Sequence, residues 1–151
     1  MELENNNQQL DIDGASLKIA IVLPYFNEKL GLELLENAKE ELKKHGVENI
    51  EIIRTAGALE IPFACQKIIE KQKPDAIIAL GAIIKGETSH YDMVCDTTYS
   101  GINTVQLKHN TPIIYGVMTC DNLEQAKRRS NKDGLNKGKQ SAQAALIQTQ
   151  L

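Results

Sequence analysis

"DAIIALGAIIKGETSHYDMV" (residues 75–94) is the stretch whose reading decides the fold. After Asp75, residues 76–81 form an unbroken apolar run, and 75–81 reads as a strand buried on both faces. A short polar turn follows, with Lys85, Gly86, Glu87, Thr88 and Ser89. From Thr88 to His109 the pattern becomes helical, with Val94, Thr98, Gly101, Ile102 and Val105 along one side. A strand with two buried faces needs cover above and below. That requirement points to a parallel sheet between two layers of helices.

The same alternation extends in both directions. Upstream, "LKIAIVL" (17–23) is a β-branched apolar run, and the next segment repeats Leu34, Leu35, Ala38 and Leu42 at helical spacing. Asn27 is expected to cap that helix and Gly46 to stop it. A second strand, 50–55, leads to a second helix in "GALEIPFACQKIIEKQK", where Pro62 is tolerated only near the first turn. Its buried stripe is read as Ile61, Cys65, Ile68 and Ile69. Downstream, "PIIYGVM" (112–118) is a fourth strand, and Asp121 with Glu124 resembles a capping box. A last helix is read over 137–150, buried at Ala142, Ala145 and Leu146. The expected fold is α/β, a three-layer sandwich around a four-stranded parallel sheet. Residues 1–16 are polar and read as an N-terminal arm, and 17–151 as one domain.

Composition narrows the function classes. The 151 residues carry a net charge of −3, so there is no general basic excess to bind nucleic acid. No apolar run is long enough to span a membrane, and the polar start lacks the pattern of a signal peptide. Cys65, Cys95 and Cys120 are odd in number, scattered and without metal-ligand spacing. They read as reduced thiols in a cytoplasmic protein. There is no GxxxxGK[ST] and no GxGxxG, so neither a nucleoside triphosphate nor a dinucleotide is expected.

Open parallel sheets bind ligands beyond the C-terminal ends of their strands. Four such ends, 24–27, 55–60, 81–90 and 115–120, are therefore expected to cluster. In the third, Gly86 loosens the turn, Thr88 or Ser89 can cap, and the free N–H groups of the first helical turn suit an anion. His90 sits in that turn, where the positive helix end favours a neutral ring able to accept a proton. On the turn alone, proton transfer and a plain bond to a neighbour weigh equally. His45 and His109 lie at helix C-terminal ends, where a cation suits the dipole, and read as structural. Phe26 could lie on a planar ring or simply plug the gap between helix and sheet. Glu60 in a first turn is favoured by the dipole whatever its function. Among Lys127, Arg128 and Arg129, helical rotation of about 100° per residue sends Arg128 outward and turns Arg129 towards the side of Ala126. Arg129 is thus the one placed to hold a phosphate bidentately.

Five stretches together carry a resemblance: "FN" (26–27), "GALEIPFA" (57–64), "ALGAIIKGETSHYDMVC" (79–95), "YGVMTCDNLEQA" (115–126) and "NKG" (136–138). From about Leu17 onward the chain resembles the 6,7-dimethyl-8-ribityllumazine synthase family. The resemblance implies a flavodoxin-like fold, a riboflavin-pathway condensation without cofactor or metal, and a homo-oligomer built on a pentamer. It implies that the N-terminal arm joins a neighbouring subunit's sheet. Two small-molecule substrates are implied, 5-amino-6-(D-ribitylamino)uracil and 3,4-dihydroxy-2-butanone 4-phosphate. Phe26 would stack on the pyrimidine. Ala58, Leu59 and Glu60, with Ala82, Ile83 and Ile84, would line its pocket. Glu87, Thr88 and Arg129 would take the phosphate, and His90 would move protons. Tyr115 would fill the position of a pocket phenylalanine and Lys137 would contact the pyrimidine, with the fourth-strand and late-helix residues coming from a neighbouring subunit. Two other readings stand beside this one: a related pyrimidine-condensing enzyme of the archaeal riboflavin synthase type, and a non-catalytic shell or carrier for lumazine or flavin.

The sequence departs from the family pattern at four places. Ala56 replaces a usual proline, and Lys85 a common arginine whose fork it lacks. Tyr115 adds a hydroxyl to a usually apolar wall. The link 129–138 lacks the Gly-Thr-Lys-Ala-Gly kink of shell-forming members, which favours a pentamer or two stacked pentamers.

Overall fold

The computed structural model describes residues 10–151. The elements run β1 (Lys18–Pro24), α1 (Glu28–Lys44), β2 (Asn49–Thr55), a single 3₁₀ turn (Ala58–Glu60) and α2 (Ile61–Gln72). They continue with β3 (Ala76–Ile84), α3 (His90–His109), β4 (Ile113–Cys120), α4 (Leu123–Ser130) and α5 (Lys137–Gln148). The strands form one parallel sheet in the order β2-β1-β3-β4. Because the chain steps from β1 outward to β2 and then back across to β3 and β4, right-handed crossovers put α1 on one face and both α2 and α3 on the other. Leu34, Leu35, Ala38 and Leu42 of α1, Ala126 of α4, and Ala142, Ala145 and Leu146 of α5 cover one face. Ile61, Cys65, Ile68 and Ile69 of α2, with Ile102 and Val105 of α3, cover the other. The expected α/β three-layer sandwich is the observed one.

Several local expectations differ. β3 runs on to Ile84 rather than stopping at Gly81, and β4 to Cys120 rather than Met118. Gly81 is a strand residue with φ +154°, and Pro24 of β1 packs where a side chain would begin. The glycine therefore lets β3 pass the end of β1 instead of ending the strand. Asn27 occupies the cap position of α1 but does not cap, because its side chain bonds elsewhere. At α4 the capping pair lies one residue on from Asp121 and Glu124. Asn122 Oδ1 accepts from Gln125 N at 2.9 Å, and Gln125 Oε1 accepts from Asp121 N at 2.8 Å. An asparagine followed three residues later by a glutamine satisfies two free donors, as the acidic pair was expected to do. α3 buries Thr98, Ile102 and Val105, while Val94 and Gly101 are only partly covered. Gly101 meets Pro62 so closely that a Cβ there would stand 2.6 Å from the proline ring, which sets how near α3 comes to α2.

Residues 1–9 of the expected arm lie outside the described residues. Further on, Ile12 packs on the core, its carbonyl lies 3.3 Å from His45 Nδ1, and Gly14 N donates to the His45 carbonyl at 2.7 Å. Among the described residues, no helix is long and apolar enough to cross a membrane.

Candidate active site

Three of the four strand ends meet above β1 and β3, the neighbouring strands at which the chain direction across the sheet reverses. Between them and the start of α3 lies a cavity of about 380 Å³. Such a crevice is where open α/β sheets hold ligands. Its walls are Phe26 and Asn27 from the first end, Ala58, Leu59 and Glu60 from the second, and Ala82, Ile83 and Ile84 from the third, with Thr88 and His90 at the start of α3.

Each wall has a local cause. Phe26 is 72% exposed at the rim, so it does not plug the gap between helix and sheet. Asn27 follows at φ +54°, a left-handed shape that asparagine tolerates. Its Nδ2 donates to the Ala82 carbonyl at 2.8 Å, joining the first wall to the third. The second wall is the 3₁₀ turn of Ala58, Leu59 and Glu60. Thr55 Oγ1 donates to the Gly57 carbonyl at 3.1 Å just before it, and the Glu60 carboxylate folds back over Gly57. Along the third, Lys85 N donates to the Cys120 carbonyl at 2.9 Å, the last bond before the chain leaves the sheet. The turn 85–89 is exposed. Thr88 Oγ1 accepts from His90 N at 3.3 Å, while Ser89 takes the cap position without a side-chain bond. Glu87 lies in this turn but is not part of the cavity wall.

The fourth strand end does not join the other three. Tyr115 pairs with Ala79, mid-strand, and β4 continues to Cys120. Tyr115, Arg129 and Lys137 instead line a second cavity, of about 590 Å³, beyond α3, together with Cys95, Thr119, Gln140 and Ser141. Arg129 is turned inward as the helical angle predicts, its Nη1 donating to the Gln125 carbonyl at 3.2 Å, while Arg128 faces outward. The Tyr115 and Tyr99 rings meet edge to face, 4.6 Å between centroids. The Tyr115 hydroxyl is buried without a hydrogen-bond partner among the described residues. Burial pushes its ionisation above the usual phenol range. Burial, and then a bond with Cys95, pushes Tyr91 up to about 12. Burial also raises the thiols of Cys95 and Cys120, and that of Cys65 to about 12. All three cysteines are therefore protonated near neutral pH and poor nucleophiles.

Sequence reasoning missed Tyr91 and Val94 as walls of the first cavity. Val94 lies four residues after His90, so helical spacing could have found it; Tyr91, the next residue, is not on the same face by that rule and gave no such signal. His45 is structural, as expected from its place, with Nε2 3.1 Å from Glu41 Oε1. Among the described residues, no group of three or more His, Cys, Asp or Glu side chains could hold a metal ion.

The family model for 6,7-dimethyl-8-ribityllumazine synthase matches residues 16–151. A 6,7-dimethyl-8-ribityllumazine synthase of Leuconostoc mesenteroides is 44% identical over 137 residues, covering 89% of this chain and 88% of that one. The protein of the same name from Kosmotoga olearia is 45% identical over 135 residues, 88% of this chain and 86% of its own. That from Desulfovibrio desulfuricans is 41% identical over 140 residues, 91% and 89%.

Proposed function

The chain belongs to the 6,7-dimethyl-8-ribityllumazine synthase family, and on that premise we propose that it condenses 5-amino-6-(D-ribitylamino)uracil with 3,4-dihydroxy-2-butanone 4-phosphate. The products are the lumazine, inorganic phosphate and water, in the penultimate step of riboflavin synthesis. The observation that carries the reading is the first cavity: three strand ends and the start of α3 meet around one space of about 380 Å³ with His90 at its edge. In this reading Phe26 stacks on the pyrimidine, and Ala58, Leu59, Glu60, Ala82, Ile83 and Ile84 hold its polar edge and ribityl chain. Glu87 and Thr88 frame the phosphate turn.

The ring amine attacks the ketone, and loss of water gives an imine. A proton leaves the adjacent carbon and the C–O bond to phosphate breaks. After tautomerisation, the ribityl-bearing nitrogen attacks the new carbonyl and a second water leaves. His90 is the proton carrier for these steps, and its exposure at the cavity's edge lets it exchange protons with solvent.

The phosphate's cation comes from a second copy of the chain. Arg129 and Lys137 line the other cavity, away from His90, and would complete a neighbour's site, with Tyr115 beside them. The assembly we propose is a ring of five, alone or stacked in pairs, with the N-terminal arm on the adjoining subunit. Free thiols at Cys65, Cys95 and Cys120 suit a cytoplasmic location. The test is to mix purified protein with both substrates and follow lumazine absorbance and fluorescence. Product formation is the expected result; pyrimidine binding without product would make the protein a carrier instead.

A further inference from the structure

An exposed ring cannot be placed by packing. Phe26 is 72% exposed, so its position comes from the backbone of the turn that carries it. That turn has two fastenings. On the β3 side, Asn27 bonds to the Ala82 carbonyl. On the β2 side stands Arg54, for which the proposed mechanism has no use.

Arg54 pairs with Leu23 in the sheet, one step before the ladder ends at Pro24 and Thr55. Its side chain is only 23% exposed. Nε donates to the Leu23 carbonyl at 3.0 Å, and Nη2 to the Pro24 carbonyl at 3.4 Å. Nη2 also reaches Glu28 Oε1 at 3.2 Å, and the guanidinium lies 4.1 Å from the centre of the Tyr25 ring. These contacts touch residues 23, 24 and 25 before Phe26 and residue 28 after it. The ion pair with Glu28, itself half exposed, contributes little by itself. The carbonyl bonds are charge-assisted and the cation faces an aromatic ring, so they hold more firmly. Only a planar fork reaches two successive carbonyls while lying flat on the ring, which an ammonium cannot do.

We propose that Arg54 is a positioning residue for the pyrimidine substrate, fixing the β1–α1 turn so that Phe26 stands ready to stack. The inference rests on the reading of Phe26 as the stacking residue. A stack that serves the bound substrate and the transition state alike is felt in KM rather than kcat. Arg54 should therefore act on the KM for the pyrimidine and not on that for the phosphate substrate.

The test is a kinetic cycle on the assembled full-length protein. Arg54→Ala is expected to raise the pyrimidine KM about tenfold, the scale of one or two lost hydrogen bonds, with kcat and the phosphate-substrate KM within about twofold. Arg54→Lys keeps the charge over Tyr25 and loses the fork, so it falls between. In a Phe26→Ala background, Arg54→Ala should add no more than about twofold, because the group it positions is gone. A general loss of folding would lower the active fraction, and so the apparent kcat, while leaving both KM values in place. A folded Arg54→Ala with an unchanged pyrimidine KM, or with an effect that persists in full without Phe26, overturns the proposal. If Arg54→Ala does not fold, Arg54→Lys carries the same cycle. Wild-type protein that makes no lumazine, or Phe26→Ala with an unchanged pyrimidine KM, overturns instead the reading on which the proposal stands.

Discussion

The two cavities on either side of α3 differ in what each lacks. The first has the histidine, flat apolar walls and an exposed turn, but neither a lysine nor an arginine lines it. The second has Arg129 and Lys137 but no histidine. A phosphate ester leaving group calls for a fixed cation, and repeated proton transfer calls for a base. On the proposed roles, each cavity would hold one half of what the condensation needs. Two cavities with complementary deficits, on opposite sides of one helix, are what a head-to-tail ring would join, since such an interface pairs two different surfaces of the same chain.

The largest effect tests the histidine half. His90→Ala should slow single-turnover lumazine formation by about 10²–10⁴-fold, the usual worth of general acid–base help, without abolishing it. The residue of activity comes from holding two reactants together, worth about 10⁵ or more in effective molarity. A variant as fast as wild type would take His90 out of the mechanism and leave the first cavity as a binding surface.

Arg129→Ala tests the cation half. Loss of a bidentate charge-assisted contact, about 3 kcal/mol, should raise the KM for the phosphate substrate roughly 100-fold and leave the pyrimidine KM within about twofold. An unchanged phosphate-substrate KM would mean that the turn before α3 holds the anion unaided.

Mixing the two variants tests whether the halves belong to different copies. After dissociation and random reassembly, about a quarter of the interfaces should join an intact His90 to an intact Arg129. With the phosphate substrate held well below its wild-type KM, activity should then exceed that of either parent by about tenfold or more. No recovery would place both residues in one chain's site and undo the comparison.

Most of the architecture was legible because buried parallel strands write themselves as apolar runs and the helices carry stripes such as Ile61, Cys65, Ile68 and Ile69. What was not legible turned on single residues with two uses. Gly81 reads as a stop but serves as a strand residue beside Pro24. Asn27 reads as a cap but spans to the Ala82 carbonyl, a bond between residues far apart in sequence. The site was legible by strand-end position for Phe26, Glu60, Ile84 and His90, which share one cavity. Tyr115 was counted with the fourth strand end, 115–120, but lies mid-strand opposite Ala79 and so lines the second cavity, not the first. Arg54 gave no signal at all, since two of its bonds go to backbone carbonyls, which no side-chain pattern reveals.

The smallest effect concerns the second cavity alone. The Tyr115 hydroxyl has lost water without gaining a partner among the described residues, whereas its ring is well used against Tyr99. A buried, unsatisfied polar group costs about 1–3 kcal/mol, less where it is only partly enclosed, as Tyr115 is. Tyr115→Phe keeps the ring and removes the cost, so it should stabilise the protein by about 1 kcal/mol and raise Tm by roughly 2–4 °C. Calorimetry of the assembled protein reads the sign directly. A lower Tm would mean that the hydroxyl finds its partner across a subunit boundary, so that this cavity is closed by a second copy. A raised pyrimidine KM with unchanged Tm would give the hydroxyl to the ligand itself. The expected rise, with both KM values unmoved, leaves the ring as the only part of Tyr115 that the neighbouring site uses, and makes its hydroxyl a tolerated departure rather than a working one.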